Sequence, residues 1–286
     1  MVGLAEALKR LAMGPIGAVE ISETEEMPSE VPDVAIGCGS KSRKILRALR
    51  KRGAFTVYVQ DPRRRYSVYD LVVAPEHDGV ERHNAVSMIG SPTRFVPKVL
   101  RGIAEAPMAA PEGFPEKRAA FLIGGTSSRF AMDADAVEEH IAAAEALLAE
   151  GFGLMVTTSR RTPGAAARRW RELGARDDVW LYEGVGENPY GTFLATADVV
   201  LVTEDSTNML SEACGAGVPV FRLSMNRKSG SGEPGKFAQL YAALEDRCGV
   251  VVWPGAVPEL GRREPLDETS RVARLVWEAL PEGVKG

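Results

Sequence analysis

Apolar residues in this chain fall in short continuous runs separated by amphipathic stretches, the pattern of strands covered on both faces and linked by helices. "PDVAIGCGS" (32–40) ends a strand in a glycine-containing turn, and "KSRKILRALRKRG" (41–53) follows as a helix closed by Gly53. "AFTVYVQDP" (54–62) predicts the next strand, stopped by Pro62, and "YDLVVAPEHD" (69–78) another, stopped by Pro75. "AVSMIGSPTRF" (85–95) predicts a fourth. Residues 96–117 gather Pro97, Pro107, Pro111 and Pro115, so beyond a short helix they read as an interdomain linker.

The alternation then restarts. Strands are expected in "RAAFLI" (118–123), "FGLMVTT" (152–158), "DVWLY" (178–182), "DVVLVT" (198–203) and "VPVFRL" (218–223). Helices are expected in "ADAVEEHIAAAEALLAEG" (134–151), "GAAARRWRELG" (164–174), "YGTFLATA" (190–197) and "STNMLSEACGAG" (206–217), while "NRKSGSGEPGKF" (226–237) reads as a surface loop. This order predicts an α/β protein of two Rossmann-like domains with parallel sheets: 1–95, a linker at 96–117, and 118–286, whose last helix is expected to pack back on the first domain. The chain opens on an amphipathic helix, "MVGLAEALKRLAMG" (1–14), where such a domain normally opens on a strand. The first domain is therefore expected to lack its first strand.

Composition narrows the class. Of 286 residues 45% are hydrophobic and 26% charged, with a formal net charge of -4, and no apolar run approaches the roughly 18 residues a membrane span needs. The N-terminus has no signal-peptide pattern. Three widely spaced cysteines and three histidines argue against a disulfide framework and predict no protein-held metal, which fits a cytoplasmic setting. Charge is uneven: between Lys41 and Arg65 ten lysines and arginines stand against one acid, Asp61. This patch reads either as a solvated helix face or as a surface for an anionic acceptor, lipid-linked or otherwise, at the inner face of a membrane. Nucleic acid is not expected, because no aromatic residues interleave the helical part.

In open parallel sheets ligands bind beyond the carboxyl ends of the strands, where helix N-termini present free N–H groups. Four such ends in the second half are polar. In "IGGTSSR", Gly124 and Gly125 permit close backbone approach, and Thr126, Ser127, Ser128 and Arg129 supply donors suited to phosphate; a plain tight turn is the other reading. "TTSRRTP" offers Ser159, Arg160, Arg161 and Thr162 at a strand end, or simply surface arginines, and the loop "EGVGENPYG" carries Gly186, Glu187 and Asn188, whose backbone groups suit a base edge or simply a turn. The fourth end is "TEDSTNMLSEACGAGVPV" (203–220). Asp205 or Ser206 suits a helix N-cap, with Thr207 next, and the acids there also favour a helix start electrostatically. Glu212, two turns in, lies too deep for capping, and a carboxylate at that depth needs partners such as ribose hydroxyls.

The spacing from Glu204 to Glu212 and the tail "SEACGAGVPV" resemble the E-x7-E signature of GT-B glycosyltransferases and the donor segment of the enzymes that add N-acetylglucosamine to lipid-linked peptidoglycan precursors. That resemblance implies Glu212 as ribose ligand and Gly125 to Ser128 as diphosphate cradle. A resemblance over most of the chain is carried by "VQDPR", "DLVVAPEHD", "IGG", "SRRTP", "GENPY", "VTEDSTNMLSEA" and "G-x-PV", in that order. The set is similar to the mitochondrial-fission elongated-mitochondria (ELM) family of bacteria and plants, which is GT-B-like. The family's opening strand and glycine-containing loop are absent, and "GGTSSRF" departs from its commoner diphosphate loop.

These readings imply a metal-independent glycosyltransferase-like protein that uses a nucleotide-diphosphate-sugar, a UDP-sugar first, with no permanently bound cofactor. His77 is the candidate general base, with Asp78, Glu76 and Asp61 behind it, the other reading being an exposed loop histidine without a catalytic role; Glu204 is a candidate contact to donor sugar hydroxyls, or a helix-end charge only. The rival from another class is a non-catalytic GT-B-fold interaction protein that uses the basic patch. A nucleotide-sugar epimerase of the dinucleotide-binding kind ranks lower: "IGCGSKS" lacks the third glycine of the fingerprint, and no Tyr-x-x-x-Lys pair is present.

Overall fold

Strands buried on both faces need helices on both faces, and a computed structural model, described at residues 3–12, 16–21, 27–228, 235–257 and 259–285, shows that arrangement twice. The chain divides into two units, Met1–Val96 with Asp267–Gly286, and Pro97–Leu266.

In the first unit, helix α1 (Leu4–Leu11) leads into strand β1 (Ala18–Ile21), followed by β2 (Val34–Cys38), helix α2 (Gly39–Lys51), β3 (Phe55–Val59), β4 (Leu71–Pro75) and β5 (Ala85–Met88). The five strands are parallel and lie in chain order, β1 to β5, across the sheet. Alternation along each strand sorts the core: Val34, Ile36, Val57, Val59 and Val73 face a cluster with Leu4 and Leu8 of α1, whereas Ala35, Tyr58, Val72 and Ala74 face Leu46 and Leu49 of α2. Strand β1 escapes the apolar-run criterion because "AVEI" carries Glu20 in its centre. That carboxylate accepts the N–H groups of Gly3 (2.9 Å) and Ala5 (3.1 Å) and so caps α1.

The second unit opens with α3 (Pro97–Glu105), inside the proline-rich stretch, and continues with β6 (Arg118–Ile123), β7 (Phe130–Ala131), α4 (Ala134–Ala149), β8 (Gly153–Thr158), α5 (Gly164–Leu173) and β9 (Val179–Tyr182). Helix α6 (Tyr190–Thr196), β10 (Val199–Thr203), α7 (Thr207–Cys214), β11 (Val220–Leu223), β12 (Asn226–Arg227), α8 (Gly235–Cys248) and β13 (Val251–Val252) complete it. The main sheet is parallel with order β13-β11-β10-β6-β8-β9. From β6 the chain therefore winds outward through β8 and β9, crosses back to β10, and winds the other way. Phe121 on β6 packs against Trp170 of α5, ring centroids 5.5 Å apart and both fully buried. Strands β7 and β12 form a separate antiparallel pair. Too short to show in the apolar pattern, β12 occupies the start of the segment expected as a loop, and α8 occupies its end; residues 229–234 of that loop lie outside the described residues.

Two last helices, α9 (Glu268–Ala279) and α10 (Glu282–Lys285), belong to the first unit. Helix α9 lies against α1, with Val272, Ala273 and Val276 in the same cluster as Leu4 and Leu8. Polar groups fix its start: Glu268, 6% exposed, accepts the Ile89 N–H (2.7 Å) and pairs with Arg271 (2.7 Å), and Thr269 exchanges hydrogen bonds with the Thr93 backbone (2.8 and 2.9 Å). No helix among the described residues is long and apolar enough to cross a membrane.

Leu8 is fully buried at the α1–α9 contact. Leu8→Ala is expected to cost about 2–5 kcal/mol of first-unit stability in urea unfolding. A loss below about 0.5 kcal/mol contradicts this packing.

Candidate functional site

The strand order reverses between β6 and β10, and at such a switch point two adjacent loops diverge to opposite faces and leave a crevice beyond the carboxyl ends of the strands. Polar sequence converges there. Asp205, directly after β10, is buried, with its side chain wholly inaccessible. Its Oδ2 accepts the Gly125 N–H (3.2 Å) and meets Nη2 of Arg161 (2.8 Å), while Oδ1 accepts from the Thr203 hydroxyl (2.8 Å). Thr203 Oγ1 in turn accepts the Gly124 N–H (2.8 Å). The Gly124 carbonyl accepts from Ser159 Oγ (2.8 Å) and Thr162 Oγ1 (2.5 Å) in the loop after β8. One network therefore closes the ends of β6, β8 and β10.

This geometry assigns the two glycines a different reason from the one read in the sequence. A Cβ on Gly124 would overlap the Asp205 carboxylate, and one on Gly125 would overlap the Arg161 carbonyl. Both N–H groups are taken by the protein itself. Donors for an anion begin one residue later: among the described residues the N–H groups of Thr126 and Ser128 have no partner. Thr126 Oγ1 accepts from Met132 N–H, and Ser127 Oγ accepts from the N–H groups of Arg129 and Phe130, so these hydroxyls shape the loop. Arg129 stacks on Phe237 of α8, its guanidinium carbon 5.1 Å from the ring centre.

At the neighbouring strand end Ser206 is the N-cap of α7, its hydroxyl accepting the Met209 N–H (3.4 Å), and Thr207 is the first residue of the helix. Asp205 is the loop hub instead of the cap. Glu212 is half-buried on the second turn, and one of its partners belongs to the protein: Tyr190, at the start of α6, donates its hydroxyl to Oε2 at 2.5 Å. Gly186, Glu187 and Asn188 lie in an exposed loop just before α6, where Asn188 Oδ1 accepts the Tyr190 N–H (3.0 Å). Arg160 is exposed, and the cation that joins the network is its neighbour Arg161.

Glu204 corrects the expectation of a sugar-facing carboxylate. Its Oε1 accepts the Met225 N–H (2.7 Å), Oε2 pairs with Arg222 (3.2 Å), and its carbonyl accepts the Tyr241 hydroxyl (2.7 Å). Burial pushes its carboxyl above the usual range, against the Met225 N–H and Arg222, which lower it. Its place is to hold β10, β11 and α8 together. His77 and Asp78, half-buried, lie in a short 3-10 turn after β4 in the first unit, beside the exposed Glu76. Asp61 Oδ1 accepts the Arg63 N–H and the Tyr66 hydroxyl, each at 2.6 Å.

His140 lies on the buried face of α4 and is 1% exposed. Its Nε2 lies 2.7 Å from the Ser224 carbonyl and must carry the proton, leaving Nδ1 buried without a partner among the described residues. Burial holds its pKa below the ordinary imidazole value. Arg161 stands beside Arg160 in the strand-end motif after β8, whereas Thr203, Tyr190 and His140 have no role legible in the sequence. Thr203 and Tyr190 do fall inside the strand-end stretches "TEDSTNMLSEACGAGVPV" and "EGVGENPYG".

Comparison with known proteins follows from this geometry. A family model described as "Mitochondrial fission ELM1" matches residues 2–280. Mitochondrial fission protein ELM1 of Arabidopsis thaliana is 26% identical over 98% of this chain and 70% of its own length. An uncharacterized protein of Rickettsia prowazekii (strain Madrid E) is 21% identical over 66% of this chain and 64% of its own. Among solved structures, UDP-GlcNAc 2-epimerase of Methanocaldococcus jannaschii, in complex with UDP-GlcNAc and UDP, superposes with a TM-score of 0.51 at 14% identity, covering 86% of this chain and 76% of that one. The fold is thus GT-B-like, built of two Rossmann-like units.

Two measurements test the network. Asp205→Ala leaves the Gly125 N–H and the Thr203 hydroxyl without their acceptor, and a loss of about 3 kcal/mol in urea unfolding is expected. Arg161 is too exposed to add much. A change within about 0.5 kcal/mol contradicts the hub. Neutral His140 protonates more readily unfolded than folded, so stability is lost as pH falls below about 6.5, by up to about 1.4 kcal/mol per pH unit for one proton. His140→Gln is expected to flatten that slope, and an unchanged slope contradicts the assignment.

Proposed function

The chain belongs to the mitochondrial fission ELM1 family, and from that premise we propose that its second unit binds a nucleoside-diphosphate sugar, a UDP-sugar first, and that the protein is a GT-B-like glycosyltransferase. The observation that carries this reading is the reversal of strand order at β6 and β10, with the N–H groups of Thr126 and Ser128, unpaired among the described residues, and the cation of Arg129 at the loop beyond β6. In the proposal these groups take the diphosphate, assisted by Arg160 and the first turn of α7 at Ser206 and Thr207. Glu212, oriented by Tyr190, accepts from ribose hydroxyls, and the exposed loop Gly186 to Asn188 meets the base. The epimerase with this fold that was solved with UDP-GlcNAc and UDP supports the ligand class.

In the reaction proposed, an acceptor hydroxyl oxygen bonds to the anomeric carbon as the bond from that carbon to the diphosphate breaks. The nucleoside diphosphate leaves with the bonding electrons, its charge met by N–H groups and arginine. The acceptor hydroxyl proton passes to a general base of imidazole or carboxylate type. Glu204 takes no part, since both its oxygens are held by Arg222 and Met225.

A second reading, a GT-B-fold interaction protein without turnover, is favoured by one observation: Asp205 and Thr203 already occupy the N–H groups of Gly125 and Gly124. Fold alone does not decide between them.

Isothermal titration of the full chain with UDP-, GDP- and ADP-sugars is expected to show saturable binding of one donor. Glu212→Ala is expected to weaken it by about 1–3 kcal/mol. A folded protein that binds none of them sinks both the donor site and the transferase. Binding without release of nucleoside diphosphate over hours, across a panel of hydroxyl acceptors, selects the second reading.

A further inference from the structure

The basic stretch of the first unit builds a cavity that the donor reading does not use. Arg43 and Arg47, one turn apart on α2, face Arg64 and Arg65 from the loop after β3 across a space of about 280 Å³, with Val68 and Tyr69 completing the wall. Behind the wall, Tyr69, 3% exposed, stacks on the fully buried Tyr58 with ring centroids 4.7 Å apart. Arg43 lies over the Tyr58 ring, at 5.3 Å, and donates Nε to the Tyr58 hydroxyl at 3.0 Å.

Two observations separate this cluster from a solvated helix face. First, among the described residues none of the four guanidinium groups pairs with a carboxylate, whereas Arg50, one turn further along α2, pairs with Asp70 at 2.9 Å. The other acid of the β3–β4 connection, Asp61, is used internally, on the Arg63 N–H and the Tyr66 hydroxyl. Second, the backbone is held in left-handed conformations at Arg63 (φ 63°) and Arg65 (φ 59°), flanking Arg64. Strain of this kind in residues with side chains collects at binding sites, because the surrounding structure must over-determine it.

We propose that this cavity binds a small phosphorylated molecule through a phosphomonoester or diphosphate group. Guanidinium is planar, always charged and matched to phosphate oxygens in pairs. Four such groups suit a multiply charged anion, and the volume lies at the small end of ligand pockets, near about 300 Å³. The inference is independent of the donor reading, which concerns the second unit.

Inorganic pyrophosphate is the probe, titrated calorimetrically into the full chain. Wild type is expected to bind it saturably, and Arg47→Gln with Arg64→Gln to weaken binding about tenfold or more. Lys44→Gln with Lys51→Gln, equal in charge change but outside the cavity, is expected to leave affinity nearly unchanged. Vesicles of phosphatidic acid in phosphatidylcholine distinguish the source of the phosphate. Recruitment of wild type but not of the arginine pair variant assigns a lipid headgroup, and pyrophosphate binding without recruitment assigns a soluble ligand. The proposal is overturned if wild type binds neither probe, if the lysine pair costs as much as the arginine pair, or if only Arg129→Gln abolishes pyrophosphate binding. UDP-sugar titration of the arginine pair variant reads the donor site separately.

Discussion

A buried carboxylate must find partners inside the protein, and the second unit is arranged around the partners of one, Asp205. It takes the Gly125 N–H, the Thr203 hydroxyl and the Arg161 guanidinium, and through Thr203 it reaches Gly124. Removing such a group from water costs several kcal/mol unless these bonds are made. Close approach then forbids a side chain at position 124, and the Arg161 backbone forbids one at 125. "IGG", "SRRT" and "VTED" are thus parts of one closure of three strand ends. It also displaces the anion-ready donors outward, to Thr126 and Ser128.

The two units share a helix-covered parallel sheet but differ in how the chain crosses it. In the first, strands follow one another in order, so no reversal opens a crevice at their ends. Polarity instead collects to one side, where α2 meets the loop after β3. In the second, the return from β9 to β10 creates a reversal beside β6. The two units therefore present different polar groups: N–H groups and a hydroxyl-rich loop in one, guanidinium groups beside stacked tyrosines in the other.

The long strands were legible because burial on both faces leaves an unbroken apolar run, as in "FLIG" or "VVLV". Strand β1 was not, since Glu20 interrupts it to cap a helix. The two-residue strands β7, β12 and β13 are set by pairing partners remote in sequence, which no local pattern records. Site residues divide in the same way. The requirement that Glu212 have a partner was visible in its depth on α7, but Tyr190 as that partner depends on how α6 meets α7. Glu204 looked like a ligand carboxylate because Arg222, Met225 and Tyr241 come to it from 18 to 37 residues away. The basic run was plain in the sequence, yet the cavity is not, because it is made by Arg64 and Arg65 of the loop after β3 together with Arg43 and Arg47 of α2.

The central claim is that a nucleoside diphosphate sits at the switch point of the second unit. Hydrogen–deuterium exchange of the full chain, with and without saturating UDP, tests it most directly. Slowed exchange at Thr126 to Arg129 and in the first turn of α7 is the expected result. No change at those amides, or protection confined to the first unit, would contradict the account.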